Sequence, residues 1–182
     1  MNIFRKLWRK IKGKKPLNCY EISDIVINNI RKNGGEVGEN VKILNSIVDF
    51  GNCFLIKIGN DVTITGAEIL THDASLQNKT GYIKIGKVEI GNNVFISKNC
   101  VILPGNKIGS NVIIGASVVV AKDIPDNVVV VGNPWKVLCT YDEFIKKHEE
   151  IMKTVPVFES GEELHSPEGI ELIKKFGIGY TR

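Results

Sequence analysis

The middle of the chain places a large aliphatic residue at every sixth position. The longest unbroken run is Ile90, Ile96, Ile102, Ile108, Ile114 and Val120, and the same phase appears upstream at Ile58, Ile64 and Leu70. A period of six matches neither the 3.6-residue period of an amphipathic helix nor the plain alternation of a half-buried strand. The pattern predicts short strands that each turn one large side chain inward, with three strands closing a triangular coil of 18 residues, the spacing from Ile90 to Ile108.

A seven-residue unit accompanies this period: an aliphatic residue, glycine, two polar residues, valine, any residue and a second aliphatic residue. It occurs as VGENVKI from Val37, IGNDVTI from Ile58, IGNNVFI from Ile90 and IGSNVII from Ile108. Coils stacked at the ordinary strand spacing of ~4.8 Å place each inward aliphatic residue on its equivalent. We expect the valine, with Cys100 in the same slot, to fill the remaining interior. We expect the glycine to relieve crowding at a corner where positive φ is favoured.

One long insertion interrupts the coils. The unit returns after 18 residues between Ile90 and Ile108, after 21 between Val37 and Ile58, and after 32 between Ile58 and Ile90. The extra residues include HDASLQNKTGYIKIG, which is polar and contains glycine, and they predict an extended loop at about residues 72–86. Long loops on a rigid repeat scaffold usually carry function.

The segments on either side of the repeat domain, residues 37–138, show helical patterns. Residues 1–36 begin with NIFRKLWRKIKGKK, whose apolar side chains share one helical face opposite a face of cations. Packing of this helix on the end of the repeat domain or on a neighbouring subunit is the favoured interpretation. Attachment of residues 1–15 to an anionic membrane surface is the other.

Further helices are predicted on both sides of the repeat. CYEISDIVINNIRKNGG predicts a helix that covers the open end of the coils, with Ser23 or Asp24 as an internal cap. In residues 139–182, TYDEFIKKHEEIMKTVP predicts an amphipathic helix capped by Thr140, and the tail predicts one more short helix without an assigned role.

Charge and cysteine content narrow the classes of function. The net charge is +4, but seven cations precede Pro16, so the rest of the chain is slightly acidic and offers no extended nucleic-acid surface. The four cysteines show no CxxC spacing, and no signal peptide or span of ~20 apolar residues is present. We expect a cytoplasmic protein, with contact at the inner face of the membrane if residues 1–15 bind lipid.

The hexads, the ILTHDAS segment, the ILPGNKIGSNVIIGASVVVAKDIPDN run and the closing GNPWKV resemble the hexapeptide-repeat acetyltransferases over residues 37–138. The resemblance implies an all-β, left-handed parallel β-helix with short N-terminal and C-terminal helices. It further implies acetyl-CoA as co-substrate without a metal, and a homotrimer with active sites between subunits, where the loop of one subunit meets the coils of the next.

His72 is the only histidine of the repeat domain and stands where the hexads break into the loop. An alcohol is a poor nucleophile toward a thioester near pH 7, and a neutral imidazole can take its proton as attack occurs. The resemblance places the catalytic base in the same THD context. Asp73 is expected to orient the ring or to bind the acceptor, with a turn at the loop entry as the structural alternative. A backbone N–H near Ser97 is a candidate oxyanion donor.

By resemblance, the arm of coenzyme A runs beside residues of the last coils, and two lysines contact its phosphates. The arm residues are Phe95, Ser97, Lys98, Gly115 and Ala116, and the phosphate contacts are Lys122 and Lys136. Asn45 and Asp49 are the acceptor candidates, although ordinary turn chemistry also explains both. GNPWKV departs from the family pattern at Trp135, where small residues are common.

The favoured function is an acetyl-CoA-dependent O-acetyltransferase that acts on a sugar hydroxyl of a surface polysaccharide or glycoside precursor. The first alternative is an N-acetyltransferase of a nucleotide-linked amino sugar, because the residues do not distinguish an amine from a hydroxyl acceptor. The second is a non-catalytic β-helix scaffold, which would require neither His72 nor cofactor affinity. A three-histidine zinc enzyme is disfavoured because His72 stands alone in the coils.

Overall fold

The structure, a computed structural model, describes residues 17–182. The amphipathic helix expected over residues 1–15 therefore lies outside the described residues. The described chain begins with α1 (Cys19–Lys32). Two coils of short strands follow: β1 (Glu36–Val37), β2 (Lys42–Leu44), β3 (Ile47–Val48), β4 (Ile56–Ile58), β5 (Val62–Thr65) and β6 (Glu68–Ile69). A 3₁₀ segment, Phe50–Leu55, separates these coils.

The long loop and the remaining coils complete the chain. The loop contains β7 (His72–Asp73), α2 (Gln77–Thr80) and β8 (Lys84–Ile85). The next coils are β9 (Val88–Ile90), β10 (Val94–Ile96), β11 (Val101–Ile102), β12 (Lys107–Ile108), β13 (Val112–Ile114) and β14 (Val119–Val120). The C-terminal part contains β15 (Val128–Val131), β16 (Lys136–Thr140), α3 (Tyr141–Met152), β17 (Val157–Phe158), α4 (Gly161–Leu164), α5 (Pro167–Phe176) and β18 (Tyr180–Thr181).

Equivalent strands of successive coils pair in parallel and form three sheets. The first sheet has the order β1-β4-β9-β12 and the third β3-β6-β11-β14. The second has the order β2-β5-β10-β13-β15, with β16 added antiparallel at its end. Ile58 pairs with Ile90, and Ile90 pairs with Ile108. The period of six is thus one side of a triangular prism, and the predicted parallel β-helix is confirmed.

The interior of the prism contains the aliphatic stacks that the hexads predict. Ile64, Ile96 and Ile114 are fully buried in adjacent strands, and Cys100 fills the valine slot with no exposed surface. Each buried side chain of this size contributes about 1.5–3 kcal/mol relative to its exposed state. The fold therefore rests on a continuous core rather than on its turns.

At the corner between the first and second sheets, the glycine of the repeat unit does not have the positive φ that the sequence led us to expect. Positive φ belongs to the second polar residue of the unit, as at Asn93 and Asn111, both with φ of 54°. Their side chains form a ladder in which Asn93 Nδ2 donates to Asn111 Oδ1 at 2.8 Å. The glycine is needed for space instead, since a Cβ at Gly91 would lie 2.7 Å from the backbone of Gly109.

Helix α1 covers the N-terminal end of the prism, as predicted. Its cap is Asn18, which forms a capping box with Glu21, rather than Ser23 or Asp24. Ser23 is buried, and its Oγ accepts a hydrogen bond from the Ile43 N–H at 2.8 Å, so it satisfies an edge donor of the first coil. Arg31 donates to the carbonyl oxygens of Val37 and Gly38 in the same coil.

Ser23→Ala should lower the free energy of unfolding by about 1–3 kcal/mol, because it leaves the buried Ile43 N–H without an acceptor. The exposed Asp24→Ala on the same helix is the control and should change stability by less than about 0.5 kcal/mol. Urea unfolding followed by circular dichroism measures both. Equal effects for the two variants would show that the Ser23 hydrogen bond does not anchor the helix.

Toward the opposite end of the prism, β15 and β16 extend the second sheet, and Trp135 in the turn between them packs against the core. Thr140 caps α3 with a capping box to Glu143, as the sequence predicted. The tail contains two short helices, α4 and α5, where one was predicted, and a β17–β18 pair joins its ends. No helix among residues 17–182 combines the length and the apolar content that crossing a bilayer requires.

Candidate active site

The long loop leaves the prism at the corner between the third and first sheets. Thr71, the last residue of the corner, is completely buried, and His72 is the first exposed residue of the loop. Strand β7 pairs antiparallel with β8, so His72 lies opposite Ile85 and Asp73 lies opposite Lys84. The predicted position of the loop is confirmed, and a buried anchor fixes the start of the segment that carries His72.

The carboxylate of Asp49 contacts the His72 ring from the preceding coil. Asp49 Oδ2 lies 2.5 Å from His72 Nδ1 and also accepts a hydrogen bond from Thr71 Oγ1. Asp49 Oδ2 accepts from the Thr71 N–H as well, at 3.4 Å, and Oδ1 accepts from the Gly51 N–H at 3.2 Å, at the start of the 3₁₀ segment. The Asp49 side chain is 10% exposed and that of His72 is 45% exposed. The shielded Asp49 carboxylate therefore fixes the Nδ1 side of the His72 ring, and the rest of the ring is exposed.

The protonation of this pair follows from its contacts. Burial raises the pKa of Asp49, but the hydrogen bonds from Thr71 and His72 outweigh it and lower the pKa to about 2. Because Asp49 is ionised at neutral pH, His72 Nδ1 must carry the hydrogen and donate it. The lone pair of the imidazole then resides on Nε2, which has no hydrogen-bond partner among residues 17–182. This is the tautomer that a general base requires.

The structure brings Asp49, and not Asp73, into contact with the His72 ring. Asp73 Oδ1 accepts a hydrogen bond from the Ser75 N–H at 2.8 Å, which lowers the pKa of Asp73 and forms a turn at the loop entry. The ring-orienting position therefore belongs to Asp49 and not to Asp73. Asn45, the other acceptor candidate, occupies a corner position with φ of 50° between the second and third sheets, away from the His72 corner.

Sequence reasoning missed the pairing of Asp49 with His72, although the repeat contained the signal. Val37 pairs with Ile58, and the 21-residue spacing that this pairing fixes aligns Asp49 with Leu70. Asp49 is therefore stacked within two residues of His72. Stacking of coils, rather than adjacency along the chain, identifies the partner of the histidine.

The residues expected along the arm of coenzyme A cluster at the corner between the second and third sheets. Phe95 points outward from β10 and is 43% exposed, and Ser97 and Lys98 follow that strand. Gly115 and Ala116 follow β13 one coil further on. The Ser97 N–H donates to the Ile114 carbonyl at 3.0 Å, so it is not free to serve as the expected oxyanion donor.

The two candidate phosphate contacts lie at the C-terminal end of the prism. Lys122 follows β14, and Lys136 begins β16; both are exposed. The Nζ of Lys122 lies 4.5 Å from the centroid of the Trp135 ring. Neither lysine forms an ion pair with another described residue. The site thus offers two cations whose charges remain available to an anion.

His72 and the arm residues occupy different edges of one prism. His72 extends from the corner between the third and first sheets, whereas Ser97 and Ala116 mark the corner between the second and third sheets. One face of the prism separates the two edges. Among residues 17–182, no three His, Cys, Asp or Glu side chains come close enough to hold a metal ion.

Comparisons with known proteins agree with this architecture. The family model described as bacterial transferase hexapeptide (six repeats) matches residues 87–122. Protein CapG of Staphylococcus aureus is 44% identical over 127 residues, which cover 65% of this chain and 73% of that protein. Other curated relatives, from Bacillus subtilis and Staphylococcus aureus, are spanned over only 51–58% of their own length.

Two solved structures extend the comparison to three dimensions. A maltose O-acetyltransferase of Clostridium difficile 630 is 32% identical with a TM-score of 0.52, over 75% of this chain and 83% of that one. A hexapeptide-repeat acetyltransferase of Vibrio cholerae, in complex with acetyl-coenzyme A, is 25% identical with a TM-score of 0.53. That match covers 59% of this chain and 61% of the other.

Proposed function

This chain belongs to the hexapeptide-repeat acetyltransferases and has their left-handed parallel β-helix, and from that premise we propose that it transfers the acetyl group of acetyl-CoA to a sugar hydroxyl. The acceptor is part of a surface polysaccharide or of a glycoside precursor. The observation that carries the proposal is the pairing of ionised Asp49 with His72, which leaves Nε2 unpaired at an open edge.

The reaction follows from this geometry. The acceptor hydroxyl gives its proton to His72 Nε2 while its oxygen attacks the thioester carbonyl carbon of acetyl-CoA. Asp49 stabilises the imidazolium that forms, and Thr71 holds the carboxylate in place. The tetrahedral intermediate then collapses with cleavage of the C–S bond. The sulfur leaves as the thiol of coenzyme A after taking the proton from His72.

The choice of substrates rests on the relatives. The Clostridium difficile relative is named for maltose as its acceptor, and the Vibrio cholerae relative was crystallised with acetyl-coenzyme A. In the proposal, Phe95, Lys98 and Ala116 line the arm of the cofactor, and Lys122 and Lys136 bind its phosphates. Asn45 remains an acceptor contact of the proposal, whereas Asp49 acts through His72.

A thiol-release assay with acetyl-CoA tests the proposal against a panel of sugars and nucleotide-linked amino sugars. We expect release with a hydroxyl sugar and an O-acetyl ester in the product by mass spectrometry. Release only with an amino sugar, and an amide product, would replace the acceptor class by an amine. Absence of coenzyme A binding in calorimetric titration would overturn the proposal and favour a scaffold.

We further propose that the protein is a homotrimer whose active sites lie between subunits. The separation of His72 from Ser97 and Ala116 on two edges of one prism supports this arrangement, because a neighbouring copy can bring the second edge to the first. The exposed apolar side chains of Ile47 and Phe95 support it as well, since a neighbouring copy would cover them.

Subunit complementation is the expected consequence of a shared site. A subunit with His72→Ala lacks the catalytic base but keeps an intact cofactor edge. A subunit with Ala116→Trp keeps His72, but a bulky side chain fills its cofactor edge. When the two variants are co-expressed in equal amounts and mix at random in a cyclic trimer, about a quarter of the sites should combine an intact histidine with an intact cofactor edge. The mixed oligomer should therefore recover about a quarter of wild-type activity.

The measurement is kcat of the purified mixed oligomer, with each single variant expressed alone as the inactive reference. A control oligomer combines His72→Ala with the double variant His72→Ala/Ala116→Trp, which cannot form an intact pair and should stay inactive. Mixed oligomers without recovered activity would place the whole site within one chain.

A further inference from the structure

The ammonium group of Lys122 lies over the indole ring of Trp135. The distance of 4.5 Å from Nζ to the ring centroid is within the ~6 Å range of a cation–π contact. The Trp135 side chain packs against the hydrophobic core, and this contact fixes the position of the ring. Lys122 is exposed and forms no ion pair with another described residue. A fixed aromatic face therefore supports an uncompensated cation.

The stability of the fold does not account for a tryptophan at this position. Trp135 Nε1 is buried and has no hydrogen-bond partner among residues 17–182. A buried donor without an acceptor lowers stability, and a phenylalanine would pack against the core without that cost. Tryptophan is, however, the side chain that attracts a cation most strongly through its ring face. Its cost to stability therefore points to a role in holding Lys122.

We propose that Trp135 is a positioning residue, which holds the Lys122 ammonium ready for a phosphate at the nucleotide end of coenzyme A. This inference rests on the proposed function. The ring contacts one side of the ammonium and leaves its other N–H groups exposed to an anion. Ordering a free lysine side chain costs conformational entropy, and contact with the ring removes part of that cost before the ligand binds.

The position of the pair along the prism fits the nucleotide end of the ligand. His72, where the thioester reacts, follows the second coil, whereas Lys122 follows the fourth and Trp135 lies in the turn between β15 and β16 beyond it. Ser97 and Ala116 follow strands of the third and fourth coils. An extended ligand that starts near the histidine of one subunit and follows these coils reaches Trp135 with its distal part.

Calorimetric titration of the full chain with coenzyme A, 3′-dephospho-coenzyme A and pantetheine tests the inference. Trp135→Leu should weaken coenzyme A binding about five- to tenfold, and Trp135→Phe, which keeps an aromatic face, about two- to threefold. If the 3′-phosphate is the partner, the loss disappears with 3′-dephospho-coenzyme A. If the diphosphate is the partner, the loss persists with 3′-dephospho-coenzyme A and disappears only with pantetheine, which carries no phosphate.

A double-mutant cycle separates positioning from a merely structural role. On a Lys122→Met background, Trp135→Leu should have no further effect on coenzyme A binding, because the group that it positions is gone. Trp135→Phe should also keep its thermal midpoint while losing affinity, since it removes the unpaired N–H. Full additivity of the Lys122 and Trp135 effects, or an equal loss with pantetheine, would overturn the inference. Failure of the wild type to bind coenzyme A would overturn the proposed function and this inference together.

Discussion

Replacing His72 with alanine is expected to lower kcat by about 10²–10⁴ while leaving the affinity for coenzyme A nearly unchanged. The loss follows from the unpaired Nε2, which is the group placed to take the acceptor proton. Thiol release at saturating acetyl-CoA and acceptor measures kcat, and calorimetric titration measures the affinity. If His72 acts in the chemical step, kcat should fall while the affinity for coenzyme A stays nearly unchanged.

The fold is expected to survive this change. The His72 side chain is 45% exposed, and its anchor to the core is the neighbouring Thr71. His165→Ala is a matched control, because that histidine is exposed and contacts only the Gly161 carbonyl in the tail. It should keep wild-type kcat. A His72→Ala enzyme that retains more than a tenth of wild-type kcat would show that another group accepts the proton.

The coils of the prism were predictable because large aliphatic side chains recur in the sequence at a fixed spacing. Each coil must bury one large residue per side at the same height, so Ile90, Ile96 and Ile102 recur six residues apart. The second coil is shifted by one residue at its third side, where Ile69 rather than Leu70 is buried and pairs with Ile102. The turns are less constrained by size and were predicted less well. Positive φ falls on Asn93 rather than on Gly91, because an asparagine there also supplies the side chain of the corner ladder.

The site was only half predictable, for a geometric reason. His72 could be identified because it is the residue at which the hexads break, which is a local feature. Its partner is a contact between coils, and the 3₁₀ segment after Asp49 adds residues to the coil that separates them. Asp73, the sequence neighbour, is drawn instead into a turn with Ser75. In the proposed trimer, the relation of His72 to the cofactor edge depends on a second subunit, about which a single repeat pattern carries no information.

Asp49→Asn is expected to lower kcat about 10²-fold, because an amide cannot satisfy the groups that surround it. Oδ2 accepts from His72 and Thr71, and Oδ1 accepts from the Gly51 N–H. Whichever of these positions the asparagine NH₂ occupies, it faces another hydrogen-bond donor. The anion that stabilises the imidazolium is lost as well. The same assay on Asp73→Asn is the matched control, and that variant should stay within about threefold of wild type because Asp73 contacts a turn.

Stability provides a second, independent readout for Asp49. Its pKa falls from an ordinary value of 3.8 in the unfolded chain to about 2 in the fold, so ionised Asp49 stabilises the native state by roughly 2 kcal/mol above pH 4. That contribution declines as the pH falls from 4 toward 2. The difference in free energy of unfolding between wild type and Asp49→Asn, measured in urea, should shrink over this interval. A difference that is independent of pH, or a larger loss of kcat in Asp73→Asn than in Asp49→Asn, would return the role of ring-orienting carboxylate to Asp73.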